Sequence, residues 1–405
     1  MKAFVTSLLL ALSVSAASAA DWPQFLGPAR KGISPETGLM KTWPTDGPKE
    51  VWRVKGGVGM SGLALSGGKM MTLVQKDGKQ VLLALDAKTG KTLWETPLAP
   101  EYENQMGNGP RGTPAISGDQ VFVFTGEGIL TAASTKDGEI LWSHDLFAKL
   151  GGKPADYGMA CSPLVVGSQV IVMPGAPGAT VVAYDAKSGK LAWKTGDDPA
   201  GYSSPALLKV GGKEQIVVFT GASAIGIQPG SGELLWRYPY ETEFNCNIAT
   251  PLAVDGRVFI SCGENHGCVL LEVSGKEPVV VWESQGTKSV FKNEWQTAIQ
   301  LGSYLYGFDN VGSAGPVTHL ACINAADGKP VWQKARFGKG NLIAADGKLF
   351  LTTMKGELVV LNATPKGYEE LGRKTVLGTT RQAPALSSGL LYLRDDKEIV
   401  CLDVR

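Results

Sequence analysis

A short pattern with a turn glycine and a closing tryptophan recurs along most of the chain. It constrains the fold more than any other feature. It reads Asp86-Ala-Lys-Thr-Gly90-Lys-Thr-Leu-Trp94 and returns at 134–142 (STKDGEILW), 185–193 (DAKSGKLAW), 228–236 (QPGSGELLW) and 324–332 (NAADGKPVW). A worn copy ends at Trp282 (SGKEPVVVW). From Trp94 to Trp332 the tryptophans are 48, 51, 43, 46 and 50 residues apart. A period of roughly 40 to 50 with strand-like content means a propeller or an array, because one such unit cannot bury its apolar face alone.

Upstream of each tryptophan lies a second element: a small residue, Pro, apolar residues, a Gly turn, then an alternating run. TPAISGDQVFVFTG at 113, SPLVVGSQVIVM at 162, SPALLKVGGKEQIVVF at 204 and TPLAVDGRVFISCG at 250 carry it clearly. Looser copies start near Ser61, Thr297, Asn341 and Ala383. Each unit reads as strand A, Gly turn, strand B, loop, strand C, Gly turn and a strand D that ends in Trp. The last unit stops after strand C at Asp403, and an orphan D-like strand, Glu50 to Lys55, precedes the first. Pairing these ends closes a ring and removes two sheet edges. The expected fold is all-β: an eight-bladed β-propeller of four antiparallel strands per blade over 49–405. If the weak unit at 341–382 is no blade, the count is seven. Residues 21–48 read as a leader packed on the outside of the propeller.

Residues 1–20 read as a signal peptide. Lys2 gives the positive start, 3–14 an apolar run, and Ala17-Ser-Ala-Ala20 a cleavage site near Ala19/Ala20. No Cys follows that point before Cys161, so no lipid anchor is expected. No later stretch is long and apolar enough for a transmembrane segment. The expected location is periplasmic or secreted. Lys+Arg 39 against Asp+Glu 38 leaves almost no net charge, which argues against a nucleic-acid partner. Charged residues are only 19%, too few for a disordered chain.

The repeat D-A-K-[TS]-G-K-x-x-W resembles the pyrroloquinoline-quinone (PQQ) repeat of quinoprotein alcohol dehydrogenase-like eight-bladed propellers. The resemblance covers nearly the whole chain after the signal segment. It implies structural roles for Trp52, Trp94, Trp142, Trp193, Trp236, Trp282 and Trp332, which dock between blades, and for turn glycines Gly90, Gly138, Gly189, Gly232 and Gly328. The same repeat occurs in quinone-dependent dehydrogenases and in non-enzymatic scaffolds such as the propeller lipoprotein of the outer-membrane assembly machine, so fold does not give function. The leader DWPQFLGPARKGISPETGL is similar to that of uncharacterised secreted propellers. The chain departs from the dehydrogenases in having no adjacent Cys-Cys pair and no C-x-x-C-H for a c-type haem. It departs from the scaffold in lacking a lipobox Cys.

In such a ring the D–A and B–C loops share one face, and ligands would bind there. The D–A loops carry Arg111, Tyr157, Tyr202, Asn247, Glu294, Trp295, Lys339, Asn341 and Arg381. The B–C loops carry Glu127, Glu264, His266, Asp309 and Asn310. A quinone site needs oxygen ligands for a hard cation, a cationic group and an aromatic floor. Glu127, Asn247 and Asp309 are the candidates for Ca²⁺. Arg111, Lys339 and Arg381 with Trp295 are the candidates for PQQ. The bland reading is a wet polar mouth. The segment Asp309 to Pro316 is glycine-rich and reads as a turn or as backbone approaching a ligand.

Two G-x-G-x-x-G matches, Gly57 to Gly62 and Gly107 to Gly112, open no expected helix, so no dinucleotide site is implied. There is no G-x-S-x-G and no H-E-x-x-H. Cys262 and Cys268 flank the loop Gly-Glu-Asn-His-Gly, and a cross-strand disulfide is one reading of them. Cys322 and Cys401 fill a small-residue slot also held by Ala84 and Ala183, which suits buried free thiols. The preferred function is an exported, non-catalytic, monomeric binding or scaffold propeller, with a protein, envelope or glycan partner on the D–A/B–C face. The alternative is a PQQ/Ca²⁺-dependent dehydrogenase acting on an alcohol or sugar.

Overall fold

The computed structural model describes residues 20–311 and 317–405. The expected signal segment, save Ala20, and the glycine-rich stretch 312–316 lie outside the described residues. Eight four-stranded antiparallel sheets carry the chain. Blade 1 holds strands Ala64–Ser66, Lys69–Lys76, Lys79–Asp86 and Thr92–Pro100. Blades 2 to 7 follow at 115–145, 164–195, 206–239, 252–285, 299–334 and 340–375. Residues 340–375 are thus a full blade. Blade 8 takes three strands from 385–403, and its fourth is Lys49–Lys55, antiparallel to Glu398–Asp403. The first and last described strands therefore share one sheet, and the ring closes.

Successive A strands touch one another and form the inner ring. Strands B and C are buried along nearly their whole length, whereas strand D exposes alternate residues. This is what a blade sandwiched between two neighbours requires: its middle is dry on both faces and only its outer edge meets water. Trp52 belongs to blade 8, yet its ring lies on Gly90 of blade 1 and its Nε1 donates to Ala87 O at 3.0 Å. A Cβ at Gly90 would come within 2.8 Å of that ring, and its φ of +71° is a conformation other residues rarely adopt. Trp94 on Gly138, Trp142 on Gly189, Trp193 on Gly232 and Trp282 on Gly328 repeat the contact. Trp236 instead donates within its own blade, to Gln215 at 2.6 Å, and Trp332 donates to Thr364 O of blade 7. Opposite six of these tryptophans on strand C stand Ala84, Ala132, Ala183, Gly226, Cys322 and Cys401, while Leu270 stands opposite Trp282. At those six positions indole volume on one strand is matched by a small residue on the other.

Blade 7 has no tryptophan of its own. Gly372 occupies that position, across from Val360. Trp43 of the leader lies directly over Gly372. One part of the chain thus supplies the indole another part lacks.

The leader does not simply lie on the outside of the ring. Trp22 pairs with Leu65 of blade 1, and Pro23 O accepts from Ile116 N of blade 2. Arg30, 2% exposed, donates to Ser162 O, Pro163 O and Pro205 O of blades 3 and 4, and to Gln24 Oε1 at 2.8 Å. Gly32 packs on Ile299 of blade 6, and Ile33 pairs with Ala344 of blade 7. Residues 22–33 therefore cross the channel among the A strands. Burial disfavours the guanidinium charge and lowers the Arg30 pKa to about 10. The carbonyl acceptors offset that cost by satisfying its donors. Farther on, Glu36 accepts the Ser388 and Gly389 amides at 2.6 Å each, and Met40 N donates to Val404 O.

Candidate ligand site at the channel mouth

With one end of the channel crossed by the leader, the other end holds a cavity of about 230 Å³. Phe25 of the leader lies at its base. The D–A loops contribute Met106, Arg111, Tyr157, Tyr202, Ile248, Trp295, Asn341 and Arg381, and the blade 5 B–C loop contributes Glu264.

Deep in the cavity runs a belt of hydroxyls. Gly62 N donates to Thr113 Oγ1 at 3.1 Å, Thr113 N to Ser162 Oγ at 2.9 Å, and Ser162 N to Ser204 Oγ at 2.9 Å. Ser204 N donates to Thr250 Oγ1 at 3.4 Å and Thr250 N to Thr297 Oγ1 at 3.0 Å. Each blade from 2 to 6 thus offers a hydroxyl to the blade before it. The belt is the chemistry of the small residue that opens strand A. Each oxygen accepts a backbone N–H, which leaves its own proton free to be donated. All five of these residues line the cavity.

The wall above is aromatic and charged. Tyr157 and Tyr202 stack with centroids 5.6 Å apart, and Phe244 touches Tyr157 at 6.3 Å. Phe244 is 62% exposed and sits at φ +57°, an outlier for a bulky side chain. Lys339 Nζ lies 4.5 Å from the Trp295 ring centroid and the Arg381 guanidinium 5.7 Å, both cation–π contacts. Lys339 also pairs with Glu294 at 2.7 Å. Arg381 donates to Met106 O at 2.6 Å, while its Nε has no partner. Arg111 is committed to the scaffold: it donates to Tyr157 O, Gly109 O and Gly107 O and stacks on Tyr102. Burial lowers its pKa. Burial, then the Glu294 and Glu243 carboxylates, raise the pKa of Glu264.

The candidate residues therefore divide. Arg111, Trp295 and Arg381 line the cavity and Lys339 borders it. Glu127, Asn247 and Asp309 do not line it, and each is engaged elsewhere. Asn247 is fully buried; its Nδ2 donates to Thr220 O and Tyr240 O, and its Oδ1 accepts from Thr242. Asp309 forms a buried ion pair with Lys292 at 2.8 Å. Glu127 accepts Gln80 Nε2 at 2.7 and 2.8 Å. Among the described residues no group of three or more His, Cys, Asp and Glu side chains could hold a metal ion. Lys339 and Arg381 thus stand together over Trp295; Glu127, Asn247 and Asp309, the three oxygen ligands expected for Ca²⁺, are held by separate partners and do not fit one ion. His266 pairs with Glu243 at the surface.

The structure also does not bring Cys262 and Cys268 together. Cys262 faces Gly267 across the ladder, and Cys268 faces Ser261. Successive residues point to opposite faces, so the two thiols look away from each other. All six cysteines are free and buried. Sequence reasoning missed Phe25, Phe244 and Met106. The belt was visible as Ser/Thr-Pro at 113, 162, 204 and 250, but its hydrogen bonding was not.

A family model described as outer membrane protein assembly factor BamB matches residues 44–145, 78–305 and 316–405. The chain is 35% identical to quinohemoprotein alcohol dehydrogenase ADH IIB of Pseudomonas putida, over 31% of this chain and 19% of that one. It thus spans about a fifth of that relative's length. It is 23% identical to outer membrane protein assembly factor BamB of Moranella endobia (strain PCIT), over 70% of this chain and 72% of that one. The quinohemoprotein alcohol dehydrogenase structure from Comamonas testosteroni matches with a TM-score of 0.69 at 14% identity, covering 97% of this chain and 81% of that one. This last likeness is one of fold. No helix among the described residues is long and apolar enough to cross a membrane.

Proposed function

Because this chain belongs to the propeller family whose model is described as outer membrane protein assembly factor BamB, we propose that it is a non-catalytic binding or scaffold propeller of the cell envelope. One observation carries the reading. The ligand-side face holds a built cavity, yet the oxygen ligands that quinone chemistry would need are tied separately into the scaffold. The near-zero net charge supports a partner other than nucleic acid. Export by cleavage near Ala19/Ala20 and a monomeric state belong to the same proposal.

A second reading has its own support. Trp295 between Lys339 and Arg381 is a cation-rich aromatic surface beside the cavity, and the name of the Pseudomonas putida relative is that of a dehydrogenase. In that reading PQQ would supply redox chemistry against Trp295, and Arg381 would face its oxygens. Titration of the purified protein with PQQ and Ca²⁺ separates the two. The readouts are Trp fluorescence and dye-linked turnover over an alcohol and sugar panel. Binding without turnover, or no binding at about 100 μM, keeps the scaffold reading. Turnover that requires both PQQ and Ca²⁺ overturns it.

A further inference from the structure

The cavity has a direction, a charge balance and a surface chemistry, and together they select a ligand class. The leader crosses the channel below Phe25, so a ligand reaches the cavity from the loop face. A chain that enters there does so by its end, not by threading through. The volume of about 230 Å³ suits a sugar unit or two.

The lining is balanced in charge. Two cations, Arg111 and Arg381, share it with two carboxylates, Glu264 and Glu294; Lys339, which lies outside the lining, pairs with Glu294. Burial first, and then the Glu294 and Glu243 carboxylates, raise the Glu264 pKa, and those carboxylates would repel an anion approaching that wall. The belt offers hydroxyl protons, and Asn341, whose Nδ2 is taken by Arg381 O, keeps its Oδ1 as an acceptor. Alternating donors and acceptors match a polyol better than any single charge. From the surface inward, Phe244, Tyr157 and Tyr202 form a continuous aromatic strip. The C–H face of a pyranose carries partial positive charge and lies well on the negative face of such rings.

We propose that this blind cavity holds the terminal one or two units of a neutral oligosaccharide, entered end-on along the Phe244–Tyr157–Tyr202 strip and held by the hydroxyl belt, Asn341 and Glu264. The proposal rests on the non-catalytic reading above and names its ligand. No bond is made or broken; the glycan end is held, not processed.

Calorimetry on the purified full chain tests it. The probes are linear gluco-, galacto-, manno- and N-acetylglucosamine oligosaccharides, from monosaccharide to hexasaccharide, with uronic acid chains as the acidic counterpart. One neutral series should bind at one ligand per protein. Its affinity should rise from mono- to disaccharide and then level off, with the acidic chains at least tenfold weaker. Tyr157→Ala should weaken binding tenfold or more. If Tyr157→Ala fails to fold, Phe244→Ala, at an exposed position, should weaken it several-fold at an unchanged melting temperature. Three results would each overturn the proposal: no neutral series binds, affinity keeps growing to the hexasaccharide, or neither aromatic variant changes affinity. The parent reading fails on a different result, quinone-dependent turnover, so the two failures are distinguishable.

Discussion

Blades 2 to 6 and blades 7, 8 and 1 are held together by different means. In the first group each blade gives a Ser or Thr hydroxyl to the backbone of its neighbour, and the belt is continuous from Thr113 to Thr297. In the second group the corresponding positions are Asn341, Ala383 and Gly62. There longer amides span the gap: Asn341 Nδ2 reaches Arg381 O, and Gln382 Nε2 reaches Gly59 O. The leader adds the rest. Glu36 caps the blade 8 turn, Leu39 N donates to Asp346, and Trp43 fills the missing indole of blade 7. The leader also touches the belted side, where Arg30 bonds blades 3 and 4, but there the hydroxyls already link each blade to the next; the degenerate repeats rely instead on amides and on contacts borrowed from the leader. The borrowed side also leaves room for Arg381 and Met60 at the mouth, so the cavity is asymmetric where the repeat is worn.

The largest expected effect comes from alkali, and it should strike the belted side. Cys161, Cys246, Cys262, Cys268 and Cys322 lie in blades 3 to 6 or the loops that enter them, against Cys401 alone in blade 8. Burial raises every one of these pKa values, to about 12 for Cys161, Cys246, Cys268 and Cys401, about 11 for Cys322, and Cys262 higher still. A raised acid pKa means the folded thiol stays protonated while the unfolded one ionises. The unfolded state thus binds fewer protons, and stability falls as pH climbs from about 9 toward the folded values. The loss is about 1.4 kcal/mol per pH unit for each thiol. Urea midpoints under reducing conditions should drop steeply from pH 8.5 to 10.5. With two thiols in blade 5 against one in blade 8, pulse alkylation should then label Cys262 and Cys268 before Cys401. A flat midpoint, or uniform labelling, would erase the distinction between the two sides.

Trp43→Ala tests the borrowed side directly. The indole is half-buried over Gly372, and its loss should cost about 2 kcal/mol, less than a fully buried aromatic. Thermal unfolding with proteolysis mapping should place the new weakness in blade 7, near 340–375. A variant as stable as the parent would mean the leader's tryptophan does not stand in for a blade residue.

The ring itself was legible because its signal repeats. The Gly–Trp motif at 86–94 predicts where its copies fall, and the orphan strand at 50–55 predicts where the ring closes. The leader's path was not legible, because Arg30 and Trp43 occur once and their partners lie more than a hundred residues away. The site was legible to the level of loops. Alternation places Trp295 and Arg381 on the ligand face, and they do line or border the cavity. It places Asn247 and Asp309 there equally, but which way a loop side chain turns depends on local partners. The Thr220 and Tyr240 carbonyls draw Asn247 inward, and Lys292 takes Asp309. Lys292 attracted no notice in the sequence, since a lone lysine in a loop is ordinarily solvated.

A paired substitution sharpens the contrast at smallest scale. Ser162→Ala removes the acceptor for Thr113 N, a buried amide. Leaving such a donor unpaired costs about 1–3 kcal/mol. Ala383→Ser adds a hydroxyl at the matching position of blade 8, where Gln382 and Asn341 already make the inter-blade bonds. Its effect should stay within about 0.5 kcal/mol in either direction. Denaturant unfolding of the two variants side by side measures the difference. If Ala383→Ser stabilises by as much as Ser162→Ala destabilises, the belt is a missing element in blade 8, not one that the amides and leader have replaced. If both are silent, inter-blade docking rests on the tryptophans alone, and the hydroxyls are there for the cavity they line.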